Sequence, residues 1–108
     1  MKGDISSAEN IEKVFGEHKF DAVVNFAAES HVDRSLHMGV THFIETNIKG
    51  TQLLLDAARK FNIPRYVQIS TDEVYGSLGP QGRFSEASPV APNNPYAATK
   101  AGADFLVR

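Results

Sequence analysis

Apolar and polar positions along the chain follow two periods in turn. Ile11, Val14 and Phe15 recur at helical spacing and share one face. Ser6 and Glu9 stand ahead of them at the spacing of a capping box, and Gly16 supplies a stop. Residues 21–28, DAVVNFAA, form a near-continuous apolar run, which predicts a strand of a parallel sheet covered on both faces. The next stretch, ESHVDRSLHMG, is polar and loop-like. From about Val40 to Lys60 the helical period returns, with Ile44, Ile48, Thr51, Leu55 and Ala58 on one face. Glu45–Lys49 and Asp56–Lys60 are i,i+4 pairs in the favourable order. Pro64 closes the connection, and residues 66–70 read as a second buried strand. Residues 77–95 are rich in Gly, Pro, Ser and Asn and predict a long loop. Pro95 then sits near the first turn of a last helix, PYAATKAGADFLVR.

The order helix, strand, helix, strand, loop, helix predicts an α/β fold with a parallel sheet and right-handed crossovers. In such sheets ligands bind beyond the carboxyl ends of the strands. Ala27 to Ser30 and Thr71 to Glu73 both fall at those ends. The second is the odder of the two. Asp72 and Glu73 follow a hydrophobic strand and a hydroxyl directly, although like charges repel and partial burial disfavours their ionised forms.

Composition narrows the field. A chain of 108 residues has room for one small domain, so residues 1–108 are read as a single unit. A net charge of -2 gives no electrostatic case for a nucleic-acid partner. No apolar run approaches the ~20 residues of a membrane span, and the N-terminus has no signal-peptide pattern. The absence of Cys removes disulfides and thiolate metal sites, and fits a reducing cytosol. The four His show no metal spacing, and His18, His37 and His42 read as solvated surface.

Tyr96 and Lys100 lie four residues apart on the last helix and share a face. An ammonium beside a phenol stabilises phenolate and draws its pKa toward neutrality. With Thr71 on the same substrate hydroxyl, the set would remove a proton from an alcohol while hydride leaves the same carbon. Tyr-x-x-x-Lys alone is a weak signal, and a surface Tyr and Lys would look the same. Its place after a strand–helix–strand unit and a strand-end hydroxyl makes it specific.

These residues carry a resemblance. NFAAESHVDRS, TNIKGTQLLLDAAR, ISTDEVYG and NPYAATKAGAD resemble the extended short-chain dehydrogenase/reductase superfamily, and within it the dTDP-glucose 4,6-dehydratase family of deoxysugar synthesis. The likeness runs along essentially the whole chain. The Asp-Glu pair after Thr71 is its most specific part, because epimerases of the superfamily place small uncharged residues there. The resemblance implies a partial NAD-binding, Rossmann-like doubly wound sheet: the middle βαβα portion, lacking the N-terminal phosphate-loop unit and the C-terminal substrate domain. It implies NAD as cofactor and a nucleotide sugar, dTDP-glucose, as substrate. Tyr96 would take the C4 hydroxyl proton as hydride passes to NAD, Glu73 would remove the C5 proton, and Asp72 would protonate the departing C6 hydroxyl. One of the two carboxyls must then be protonated and the other ionised.

Further positions follow from the resemblance alone. Asp4 and Ile5 would contact the adenine. Phe26, Ala27, Ala28 and Ser30 would let NAD lie against the backbone, and Ser30 or His31 would approach the sugar. Thr46 would face the cofactor, and Asn94 and Pro95 would shape the approach to Tyr96. Gly76, Gly79 and Gly82 mimic a phosphate loop, but no helix follows them for about a dozen residues, so they read as loop punctuation. Two consequences are expected of a middle third of an enzyme. The isolated chain is inactive or nearly so, since catalysis draws on remote binding contacts. Bare strand edges favour homo-oligomers, strand exchange or marginal stability. The other readings are a dehydratase for another nucleotide sugar, an epimerase, or a non-catalytic nucleotide-binding remnant.

Overall fold

The computed structural model describes residues 1–30, 39–80 and 82–108. Helix α1 (Ala8–Glu17) is followed by strand β1 (Val23–Asn25). Helix α2 spans residues 41–60 and is followed by strand β2 (Tyr66–Gln68). A short 3₁₀ turn (Asp72–Tyr75) then leads through a loop to helix α3 (Pro95–Val107). The two strands pair in parallel, Val23 opposite Tyr66, Val24 opposite Val67 and Asn25 opposite Gln68. The expected element order and parallel sheet are therefore present.

The core lies between α1, α2 and the inner sheet face. Ile11, Phe15, Leu54 and Ala57 are buried there, with Ile5, Val14, Phe20, Val23, Phe61 and Tyr66 packed around them. Each large side chain buried in this way contributes about 1.5–3 kcal/mol. Phe15 meets Phe20 edge-on at 5.5 Å. Helix α2 closes with Asn62 in the left-handed region, φ 56, and Ile63 N–H donating to Ala58 O at 2.8 Å.

Several local expectations need correction. The cap of α1 is Ser7, whose Oγ accepts from Asn10 N–H at 3.3 Å. Ser6 instead donates its N–H and O–H to Asp4, so it is not free to cap. The first strand pairs only over Val23–Asn25, and its outer face is bare, with Phe26 74% exposed. The buried stripe of α2 runs through Phe43, Asn47, Thr51, Leu54 and Ala58, while Ile44 is outside it. The cause is polar: residues 44–50 form a π-helical turn, and Asn47 rather than its apolar neighbours is drawn inward by hydrogen bonds. Glu45–Lys49 pairs as expected at 3.2 Å. Lys60 turns to Glu12 at 2.7 Å, and Asp56 accepts from Gln52, so the second expected pair does not form.

Candidate active site

Both strand ends open on one edge of the sheet, and each is held by a different device. After β1, the chain turns outward through Phe26 and Ala27, both exposed. Asn25, buried, accepts from Ala27 N–H through Oδ1 at 3.0 Å. Asn47, only 1% exposed, pairs with both backbone groups of Glu29: Oδ1 accepts from the N–H at 2.9 Å, and Nδ2 donates to the carbonyl at 3.0 Å. The same Nδ2 donates to Thr99 Oγ1 at 3.0 Å, and Thr99 donates to Tyr96 O at 2.8 Å. One amide thus ties the β1 end to α3.

The π turn is what lets α2 reach both. Gly50 within it is required by close approach, because a Cβ there would lie 2.7 Å from the Ile5 side chain. A polar chain continues inward from Asn47. Thr51 Oγ1 donates to Asn47 O at 2.8 Å, and Asn25 Nδ2 and Tyr66 Oη both donate to Gln68 Oε1. Burial pushes the Tyr66 phenol above its ordinary 10.0, with the Asn25 contact opposing it.

The β2 end is held by α3. Asn94 caps that helix, its Oδ1 accepting from Ala97 N–H at 2.8 Å, and Pro95 follows at the first turn. Lys100 is 3% exposed and donates from Nζ to Ile69 O at 2.7 Å. Burial lowers its pKa below 10.5, with the Asp104 charge opposing. Thr71 caps the 3₁₀ turn by accepting from Glu73 N–H at 3.3 Å. A hydroxyl has a donor as well as acceptors, so its proton remains for the Tyr96 phenol or a ligand. Val74 is buried and accepts from Ala91 N–H at 2.8 Å, which anchors the turn to the following loop. Gly76 has φ 92, and a Cβ there would lie 2.5 Å from Ala91 O.

The 72–75 turn packs against α3, which carries Tyr96, while Lys100 on the same helix is turned to the Ile69 carbonyl. Thr71 draws the Tyr96 phenol pKa down, and the charges of Glu73 and Asp72 push it up. Phe43 supports the ring edge-on at 6.5 Å. Glu73 is partly buried and Asp72 exposed. The expected direction of the phenol is overturned. Tyr96 lies above 10.0, raised by burial and then by the two carboxylates, with Thr71 pulling down. The Lys100 ammonium donates to the Ile69 carbonyl.

The remaining expected positions differ in burial and contacts. Ala28 is half-buried and Ser30 exposed. Thr46 is partly buried beside Asn47. The Asp4 carboxylate is held below its ordinary value by the Ser6 N–H and then by the Ser6 hydroxyl. The Ile5 side chain packs into the core. His18 and His42 are exposed, as expected, and His31 and His37 lie outside the described residues. Gly76 and Gly82 have positive φ, and the described residues that follow are non-helical up to Asn94, as expected of loop glycines. No group of metal-binding side chains and no helix able to cross a membrane occurs among the described residues. Sequence patterns missed Asn47, Ser70 and Asp104. A polar residue on a buried helix stripe was the available signal for the first.

The family model described as GDP-mannose 4,6 dehydratase matches residues 1–108. The low-salt glycan biosynthesis protein Agl12 of Haloferax volcanii is 55% identical over 108 residues, covering all of this chain and 34% of its own length. The crystal structure of DesIV, a dTDP-glucose 4,6-dehydratase of Streptomyces venezuelae with NAD bound, is 50% identical with a TM-score of 0.87, covering 96% of this chain and 31% of that one. A Thermus thermophilus UDP-glucose 4-epimerase in complex with NAD has a TM-score of 0.90 at 30% identity, covering 97% of this chain and 34% of that one. The chain spans about a third of the length of the relatives it matches.

Proposed function

The chain belongs to the GDP-mannose 4,6-dehydratase family, and from that premise we propose that it carries the reaction centre of an NAD-dependent nucleotide-sugar dehydratase, a hydro-lyase acting on dTDP-glucose. The observation that carries this reading is the packing of the Thr71-capped turn, with its two acids, against the helix that presents Tyr96. An alcohol oxidation needs only the phenol and the hydroxyl. Two further proton-transfer groups fit an elimination.

In this reading Tyr96 accepts the proton of the sugar C4 hydroxyl, with Thr71 hydrogen-bonded to the same oxygen. The 4-keto group so formed acidifies the C5 proton. Glu73 removes it as base, and Asp72 protonates the departing C6 hydroxyl. NAD, when bound, would supply the acceptor that takes hydride from C4 and returns it to C6, and Glu73 would give its proton back to C5. Lys100 orients the centre through Ile69 O and has two more N–H donors for a ligand.

The β1 end suits such a cofactor. Small exposed residues are held there with their backbone fixed by Asn25 and Asn47, so a flat group can lie against Ala27 and Ala28. Ser30, Thr46 and the Asp4–Ile5 backbone complete the proposed cofactor contacts. A dTDP-sugar partner is favoured over the epimerase reading by 50% identity to DesIV against 30% to the epimerase. The bare outer sheet face, with Val24, Phe26 and Val67 about half exposed or more, favours self-association of the isolated chain. A reducing cytosol is the matching compartment.

The test is a chimaera in which this chain replaces the matching third of DesIV. Conversion of dTDP-glucose to the 4-keto-6-deoxy product, abolished by Glu73→Gln, is expected. A folded chimaera that binds NAD and turns nothing over would refute the reading. The 108-residue chain alone is expected to bind NAD weakly and to be inactive.

A further inference from the structure

Tyr96, Lys100 and Asp104 are spaced by four along α3 and form one polar stripe on a helix whose other buried residues are mostly Ala. Two of them grip the β2 end. Asp104 Oδ2 accepts from Ser70 Oγ at 2.5 Å, and Lys100 Nζ donates to Ile69 O at 2.7 Å. The grips thus fall on consecutive residues 69 and 70, immediately before Thr71 and the two acids, where the 72–75 turn packs on α3. We infer that Asp104 is a positioning residue: with Lys100 it clasps the end of β2 to α3, and so sets Thr71, Asp72 and Glu73 against the Tyr96 phenol.

Three points support this. Strand pairing stops at Gln68, so Ile69 to Thr71 are not held by the ladder beyond a single bond from Ile69 N–H to Asn25 O at 3.1 Å. The Ser70–Asp104 contact is short and charge-assisted, the strong kind of hydrogen bond. The two clasp residues are one helical turn apart, so a rigid helix fixes both grips together. The inference rests on reading Tyr96 and residues 71–73 as the reaction centre. Its test therefore begins with a readout that needs no turnover.

In the 108-residue chain, Asp104→Ala and Ser70→Ala are expected to move the alkaline titration of Tyr96, followed by tyrosinate absorbance and assigned with Tyr96→Phe, away from its parental position. Amide exchange over residues 70–75 should quicken about tenfold in each. The double variant should be no worse than either single one, because both remove the same bond. Asp104→Asn retains an acceptor for Ser70 and should restore both signals. In the chimaera, Asp104→Ala should lower kcat about tenfold or more with KM within about threefold, since misplacement of reacting groups is costly. An inactive parent chimaera would sink the functional reading and leave the titration result standing. Parental titration and exchange in Ser70→Ala, which trims only one exposed oxygen, would overturn the clasp. So would additive effects in the double variant.

Discussion

The two strand ends share an edge but are built on opposite plans. The β1 end is small, uncharged and held through its own backbone, with Asn47 gripping both polar groups of Glu29. The β2 end is charged and held through a helix, with α3 gripping the Ile69 carbonyl and the Ser70 side chain. A backbone grip leaves the outer surface of the chain open, which is what a flat ligand lying against it needs. A grip just upstream of a tight turn leaves the side chains beyond it projecting, which is what proton transfer needs. The fold divides a binding floor from a reacting wall, and α3 joins them through Thr99, Tyr96 and Lys100.

If the division is right, substitutions at the two ends fail in different ways. The largest effects belong to the wall. Tyr96→Phe and Glu73→Gln in the chimaera should each lower kcat by about 10²–10⁴-fold, the usual worth of a positioned acid or base, with NAD affinity kept within about threefold. A comparable loss of NAD affinity in either variant would erase the distinction.

The floor should fail through stability and binding together. Asn47→Ala removes the partner of the Glu29 N–H and carbonyl and of Thr99, and should cost about 3 kcal/mol in urea unfolding. NAD affinity should drop with it. Gly76→Ala follows at about 1–3 kcal/mol, because φ 92 is strained for Ala and the new Cβ meets the backbone oxygen of Ala91. Its damage should show as a loosened 72–75 turn rather than weaker NAD binding. Unfolding midpoints identical to the parent in both variants would mean that neither grip stabilises its strand end.

The floor and the wall were unequally legible in the amino-acid sequence. The acids after β2 stood out because charge beside a hydrophobic strand is costly, and the Tyr-Lys spacing placed them opposite a helix. Apolar periodicity also found α1, Pro95 marked the start of α3, and the alternation of elements gave the parallel sheet. On α2 periodicity placed Thr51 and Ala58 correctly, but Phe43, Asn47 and Leu54 take the buried places it gave to Ile44, Ile48 and Leu55. A helix interior that is polar for the sake of a long-range hydrogen bond has no local signature. Ser70 and Asp104 are ordinary surface residues until the fold brings them together across 34 positions. The direction of the Tyr96 pKa was likewise out of reach. It depends on whether the Lys100 ammonium meets the phenol or a carbonyl, and residue spacing says nothing of that.

The smallest expected effect is also the sharpest test of the wall. Tyr96 is raised by burial and by Asp72 and Glu73, and lowered by Thr71. Thr71→Val should therefore move its titration further above 10, while the Asp72→Asn, Glu73→Gln pair should move it back toward 10. The sign carries over to stability. Between 10 and the folded value, the folded chain keeps a proton that the unfolded chain has lost. The stability this contributes is present below pH 10 and is lost as pH rises through the folded pKa. Thr71→Val should extend that window upward and the double variant should narrow it, read as urea midpoints across the alkaline range. The Tyr66 phenol, raised by burial on the core side and lowered by Asn25, is the internal control. If Thr71→Val moved Tyr66 as much as Tyr96, the shift would report a general loosening, and the hydroxyl would have no particular hold on the phenol.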